Sequence, residues 1–234
     1  MVVGSQKALK MTNDKLFNFF KDLKDKKNNL NIKFTNNLKK NIHKVIKSFN
    51  AYLIHNCDIF KNFTGRDIDA FFKKTKQLKK INNNAIYRDL DEKSLRIHLN
   101  DKNSEYFLSL DLEKIDTMPK SIGTIFKNKF DNKIYCKHTQ LHHLDKKSII
   151  FYKLIKYFYY GTIHSYRQLL FIKNDIKKLS KTEIDIILKS IEKILPNEKK
   201  IIKNFIIWDF NKFYKNRKVN KFFFYKRLNR HKKR

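Results

Sequence analysis

The chain has 234 residues, 54 of them Lys or Arg and 22 Asp or Glu, for a net charge of +32. With 41% hydrophobic and 14% aromatic residues it can build a core, which excludes a disordered polyelectrolyte. Four Gly and two Pro exclude a collagen-like, linker-like or turn-rich chain, and two cysteines are too few for a disulfide framework and fit a reducing compartment.

So basic a chain points first to nucleic acid. The excess is nearly all Lys, however, and it comes with abundant Asn, Ile and Phe, the composition that AT-rich codons produce whatever the function. Arg, whose planar fork recognises phosphates and bases bidentately, is scarce. The most apolar stretch, Ile149 to Tyr160, is interrupted by Lys153 and Lys156, and a membrane span needs about 20 mostly apolar residues. Met1 to Lys10 carries no apolar signal core. The expectation is a cytoplasmic protein with no membrane span.

Asn13 to Lys24 places Leu16, Phe19, Phe20 and Leu23 at helical spacing, and Asn36 to Phe49 repeats the pattern with Leu38, Ile42, Val45, Ile46 and Phe49. The period then changes. Ala51 to Ile54 is short, apolar and β-prone, and a polar loop runs from it to Gly65. Asp67 to Phe72 (DIDAFF) predicts a second strand, followed by a basic connection, Lys73 to Lys80. Ala85 to Arg88, Ser94 to Leu99 and Glu105 to Leu112 predict three more. From Asp145 onward the pattern is helical. Asp145 caps a helix closed at Gly161, Ser165 to Leu179 forms the next, and Ser180-Lys-Thr-Glu183 is a capping box before a helix that Pro196 ends. Lys199 to Tyr214 continues the series, and Asn216 to Arg234 is a basic tail. The expected fold class is α+β, a small mixed sheet flanked by helices with an all-helical C-terminal region. Its expected parts are an extension (1–35), a core (36–118), a helical region (119–215) and the tail (216–234).

The chemistry concentrates in Ala51 to Phe72, AYLIHNCDIFKNFTGRDIDAFF. Asp67 and Asp69 stand two residues apart on a strand, so their carboxylates face one way and repel unless solvated or shared with a cation. Hard oxygen donors at this spacing suit Mg²⁺. Asp111 is an isolated acid within the apolar run Leu108 to Leu112, and a carboxylate there needs a partner or a metal. Glu105 and Glu113 share its parity along the strand and are alternatives to it.

The order helix, apolar strand, loop, Gly-x-Asp-apolar-Asp strand and later apolar-Asp-apolar strand resembles the DNA polymerase beta-type nucleotidyltransferase superfamily. More narrowly, it resembles the nucleotidyltransferase-like proteins found among bacterial polysaccharide-biosynthesis genes. The resemblance covers about Asn36 to Met118 and continues more weakly into Asp145 to Gly161. It implies transfer of a nucleotidyl group from a nucleoside triphosphate with two Mg²⁺ ions. On this chain it would make Asp67, Asp69 and Asp111 the metal ligands and catalytic acids. It would place His55, Asn56, Gly65 and Arg66 along the triphosphate. Where the superfamily carries Gly-Ser after the first strand, this chain has His55-Asn56, and His55 stands where the narrower group has a permanently charged Arg.

The remaining signals have simpler explanations. Cys136-x-His138 followed by His142-His143 fits no common zinc spacing, and the segment reads as a polar loop before a helix. Cys57 has no evident His and acid to activate it and reads as packing at the strand end. The aromatic run Phe151 to Tyr159 follows helical spacing and reads as core rather than a base-stacking surface.

The expected function is thus a metal-dependent nucleotidyltransferase acting on a hydroxyl of a small or sugar-type acceptor, with nucleic acid as a further partner for the basic flanks. The alternative is a non-catalytic basic RNA-binding or ribosome-associated protein. Between Ala51 and Met118, 12 Lys+Arg meet 11 Asp+Glu, so nearly all of the +32 lies outside the segment that carries the acids.

Overall fold

A computed structural model describes residues 34–61, 67–72, 85–91, 94–99, 108–159, 166–207 and 213. Contacts divide the described residues into two compact units, parted after Ile149. The expected helix at Asn13 to Lys24, the connection at Lys73 to Lys80, Glu105, Gly161 and the basic tail lie outside the described residues.

The first unit opens with α1 (Asn36–Ser48), capped by Thr35, whose side chain accepts from the Leu38 N–H at 3.1 Å. Asn50 follows at φ 47, a left-handed position that Asn tolerates, and the Ala51 N–H returns to the Ile46 carbonyl. The strands are β1 (Tyr52–Leu53), β2 (Asp67–Phe72), β3 (Ala85–Asp91), β4 (Ser94–Leu99) and β5 (Leu108–Lys114). A 3₁₀ turn, Ile115–Thr117, leads to α2 (Lys120–Lys129), then β6 (Lys133–Cys136) and β7 (Leu141–Leu144). The seven strands form one mixed sheet in the order β3-β4-β5-β2-β1-β7-β6. The β2–β5 and β1–β7 pairs are parallel and the others antiparallel.

The five strands expected from sequence all form. Two of them, Asp67–Phe72 and Ser94–Leu99, have the expected bounds. The segment between Met118 and Asp145, expected within the helical region and in part as a polar loop, supplies not only α2 but also two strands, β6 and β7. Its strands have four residues each and no regular alternation, so they are stabilised by their neighbours rather than by local pattern.

Alternation decides the two faces of the sheet. Ile68, Ala70 and Phe72 of β2, Leu108, Leu110 and Leu112 of β5, and Leu95, Ile97 and Leu99 of β4 form one core with Leu38, Ile42, Val45 and Ile46 of α1. The residues between them, Asp67 and Asp69, Ser109 and Asp111, and Arg96 and His98, therefore belong to the opposite face. That face is closed at one end by aromatics. Phe71 lies edge-on to Phe126 of α2 at 5.4 Å between centroids and beside Tyr52 at 5.9 Å.

α3 (Lys146–Phe158) starts in the first unit, where Asp145 Oδ1 accepts from the Ser148 N–H at 2.7 Å, the cap expected from sequence. The second unit continues with α4 (Tyr166–Ile176), α5 (Lys181–Ile194) and α6 (Lys199–Ile207). The Ser180–Glu183 capping box forms reciprocally, and α5 ends just before Pro196. Phe205 packs on Phe158 and Phe213, and the buried Lys173 ammonium donates to the carbonyls of Phe205 and Ile206 at the end of α6. Lysine in this unit thus includes one interior helix cap. Among the described residues no helix is long and apolar enough to cross a membrane. The architecture is α+β: a mixed sheet with helices, then a helical C-terminal region.

Candidate functional site

Two strands distant in sequence bring the acids together. β2 and β5 run parallel with Asp69 opposite Asp111 and Asp67 opposite Ser109. Facing residues in a ladder project to the same side, so the three carboxylates share the polar face of the sheet. Asp67 is exposed and Asp69 and Asp111 half-buried, so the cluster lies at the open end of that face, away from Phe71.

β4 adds a cation that the sequence reading missed. Arg96 stands opposite Asp111 in the antiparallel β4–β5 ladder. Its Nε and Nη2 donate to Asp111 Oδ1 and Oδ2 at 2.7 and 2.5 Å, a bidentate pair. The Arg96 guanidinium is held above its usual range first by this hydrogen bond, against burial, and then by the charges of Asp111, Asp67 and Asp69. One guanidinium thus senses all three acids. The available signal was parity: Arg96 and His98 alternate with Leu95, Ile97 and Leu99, so they had to lie on the face of Asp111. Beside this pair, Ser109 Oγ and His98 Nδ1 are 3.0 Å apart. Glu113, the alternative acid, lies opposite Phe71 and Ser94 and so falls at the closed, aromatic end.

His55 is tied to the same strand. Its Nε2 accepts the backbone N–H of Asp69 at 3.0 Å. A ring nitrogen in that role carries no proton, so His55 acts here as a neutral acceptor that positions the Asp69 backbone. The Asn56 carbonyl accepts from the Ile59 N–H and opens a turn, Cys57 to Lys61. Gly65 and Arg66 lie outside the described residues.

In kind these oxygen donors suit a hard divalent cation; in spacing, the three carboxylates share a face without closing to within 4.8 Å of one another, as Cys57, Cys136 and His143 do. Three carboxylates and one guanidinium leave a formal charge of −2. The bidentate pair uses one lone pair on each Asp111 oxygen and leaves others available. The exposure of Asp67 suits Mg²⁺, which keeps several of its waters.

The structure also changes the standing of the cysteines and histidines. His138 and His142 are exposed, whereas His143 is fully buried on β7, opposite Leu53 of β1. Cys136 at the end of β6 is buried and close to Cys57 in the turn after β1, with its Sγ 3.9 Å from the Cys57 carbonyl. The segment read as a polar loop is thus a hairpin, and Cys57 has two soft-donor neighbours that local sequence could not reveal.

No family model matches the chain, and no curated protein does. Two solved structures from Helicobacter pylori follow a similar chain path. JHP933 shares 13% identity over 84% of this chain and 92% of its own, with a TM-score of 0.41. A candidate nucleotidyltransferase shares 13% identity over 85% of this chain and 95% of its own, with a TM-score of 0.40. The functional reading therefore rests on the residues of the site.

Proposed function

We propose that the protein is a Mg²⁺-dependent nucleotidyltransferase that moves a nucleotidyl group from a nucleoside triphosphate to a hydroxyl of a small or sugar-type acceptor. The observation that carries the reading is the β2–β5 register, which sets Asp69 beside Asp111 with Asp67 next along the same face. The resemblance of the Asp67-x-Asp69 strand and the later Asp111 strand to the polymerase beta-type superfamily supports it.

In such a transfer the acceptor oxygen attacks the α-phosphorus in line and pyrophosphate leaves, so negative charge shifts between oxygens on both sides of phosphorus. Bound Mg²⁺ would stabilise those oxygens. Asp67 and Asp69 would hold the cations, and Asp111 would orient the acceptor hydroxyl and take its proton. Arg96 fixes the Asp111 carboxylate through two hydrogen bonds, and His55 fixes the backbone of Asp69. With His55 so engaged, the triphosphate would depend on metal-bound oxygens and backbone donors rather than on a histidine cation.

Calorimetric titration of ATP, GTP, CTP and UTP with and without Mg²⁺ tests this. Binding of at least one nucleotide is expected to require Mg²⁺ and to weaken at least tenfold in Asp67→Ala/Asp69→Ala. Transfer should fall by about 10³-fold, as expected when several kcal/mol of metal-borne charge stabilisation is lost. Equal, Mg²⁺-indifferent binding by both proteins would overturn the site. RNA binding that falls steeply with salt and ignores the two substitutions would favour the non-catalytic alternative.

A further inference from the structure

Among the described residues, one group of three ligating side chains has its donor atoms within metal-bridging reach, and it lies away from the carboxylate face. Cys57, Cys136 and His143 offer two sulfurs and an imidazole nitrogen, all within 4.8 Å of one another. We propose that these three residues form a zinc site that fastens the turn after β1 to the β6–β7 hairpin.

The donor spacing is near that of a tetrahedral site with three protein ligands and one open position. Zn–S bonds of about 2.3 Å and Zn–N bonds of about 2.0 Å place tetrahedral ligand atoms about 3.3–3.8 Å apart. Side-chain adjustments of about an ångström would bring the donors to that spacing. The donor types select the metal, because thiolate and imidazole favour Zn²⁺ over Mg²⁺, whereas the oxygen cluster on β2 and β5 has the opposite preference.

The second shell is already arranged. A carbonyl oxygen can only accept, so the 2.7 Å contact between His143 Nδ1 and the His55 carbonyl is an Nδ1–H donated to that carbonyl. This is the usual orienting bond of a metal-binding histidine, and it leaves the Nε2 lone pair as the ligand. In the structure that lone pair accepts from the Thr139 hydroxyl at 2.6 Å, a contact the metal would replace. Burial holds His143 in the neutral form that ligation needs. Burial opposes ionisation of Cys136, but hydrogen bonds from Cys57 and from the backbone at Thr139 and His138 draw its thiol below the ordinary value. Burial and the Cys136 neighbour push the Cys57 thiol up to about 12. The pair thus holds one proton more firmly than the other. Zn²⁺ would displace both as its bonds to sulfur form, so binding releases up to two protons.

Two further features point to the same spot. The hairpin turn that presents Thr139 holds Gln140 at φ 53, a left-handed conformation that glutamine seldom adopts. The Gln140 N–H returns to the Cys136 carbonyl at 2.8 Å and closes the turn around the sulfur. His43 of α1 contacts the Thr139 backbone, and its Nε2 is buried without a hydrogen-bond partner, so a second imidazole borders the cluster. Water would take the fourth position from the half-exposed Cys57 side.

The site would act structurally. His55 carries the consequence, since its carbonyl holds His143 while its ring holds the Asp69 amide. Zinc would fix the backbone that leads into the carboxylate strand. The inference does not rest on the nucleotidyltransferase reading, because the two clusters share no ligand.

The test uses Co²⁺ as a spectroscopic stand-in, added to reduced, metal-free full-length protein. The expected result is a thiolate-to-cobalt charge-transfer band with intense visible bands of tetrahedral cobalt, lost when one equivalent of Zn²⁺ is added. Asp67→Ala/Asp69→Ala should keep these bands, and Cys57→Ser should weaken Co²⁺ affinity at least tenfold. Cys57 is half-exposed, so its serine variant is expected to fold. As a check that needs no variant, Zn²⁺ should protect both cysteines of the wild type from alkylation, and a chelator should expose them. Absence of the charge-transfer band, an unchanged band in Cys57→Ser, or unprotected thiols would overturn the proposal. So would a Cys57–Cys136 disulfide that forms as readily with Zn²⁺ as without it.

Discussion

The two halves of the sheet, divided between β2 and β1, handle polar groups in opposite ways. On β4, β5 and β2 the acids are partly exposed and held by an extended ladder, with one guanidinium among them. On β1, β7 and β6 the cysteines and His143 are mostly buried, two of them nearly completely, and they meet through a turn and a short hairpin. The difference follows from desolvation. Carboxylates keep their charge only where solvent or a counter-ion reaches them, whereas thiols and imidazole can be buried neutral. On the readings proposed above, one half would take a hydrated, exchangeable cation and the other a permanent fastening.

The most forceful way to break this contrast is to open the closed end of the acidic face. Phe126 is fully buried against Phe71. Phe126→Ala should destabilise the first unit by about 3–5 kcal/mol, read as a lower denaturant midpoint, because the cavity exposes the strand that carries Asp67 and Asp69. An unchanged midpoint would mean that α2 does not close the face.

A smaller effect is expected at the guanidinium. Arg96→Met removes a bidentate, charge-assisted pair that is partly exposed, with Arg96 and Asp111 side chains at 35% and 15% exposure. The expected loss is about 1–2 kcal/mol, and Arg96→Lys should not restore it fully, because an ammonium cannot reproduce the planar fork. If Asp111 is the acceptor-orienting group, Arg96→Met should lower turnover more than nucleotide affinity. Equal effects on both would assign Arg96 to nucleotide binding instead.

The smallest effect concerns pH on the other half. Burial, with Lys47 adding to it and the Thr139 backbone opposing it, lowers the pKa of His43 below its ordinary 6.5. The unfolded chain then binds a proton that the folded chain resists. The His43 contribution is complete above about pH 6.5 and is lost as pH falls towards the folded-state value. Thermal unfolding followed from pH 7.5 to 5 should show this acid limb, and His43→Leu should flatten it by a fraction of a kcal/mol. A limb of equal slope in the variant would place its origin elsewhere, such as at His143.

The local sequence was enough for the acidic half because its signals repeat at strand period. Asp67 and Asp69 share a side whatever the strand pairs with, and the apolar neighbours of Asp111 made it conspicuous. The same rule, applied to Leu95-Arg-Ile-His-Leu99, would have placed Arg96 on that face, although not opposite Asp111. For the hairpin no such rule was available. Leu141-His-His-Leu144 has no period long enough to distinguish strand from loop, and nothing near Cys57 indicates that its partner lies 79 residues away.

What the sequence determined by itself was the class of the fold, the caps of α3 and α5 and the side of the strand on which the acids lie. These depend on interactions within a few residues, where spacing and side-chain chemistry suffice. Tertiary structure alone decided that Asp69 meets Asp111, that Arg96 balances them, that His55 serves the Asp69 backbone, and that two cysteines and a histidine converge. Those outcomes depend on strand order and register, which are fixed by burying one common apolar face against α1. No short stretch of sequence contains that information.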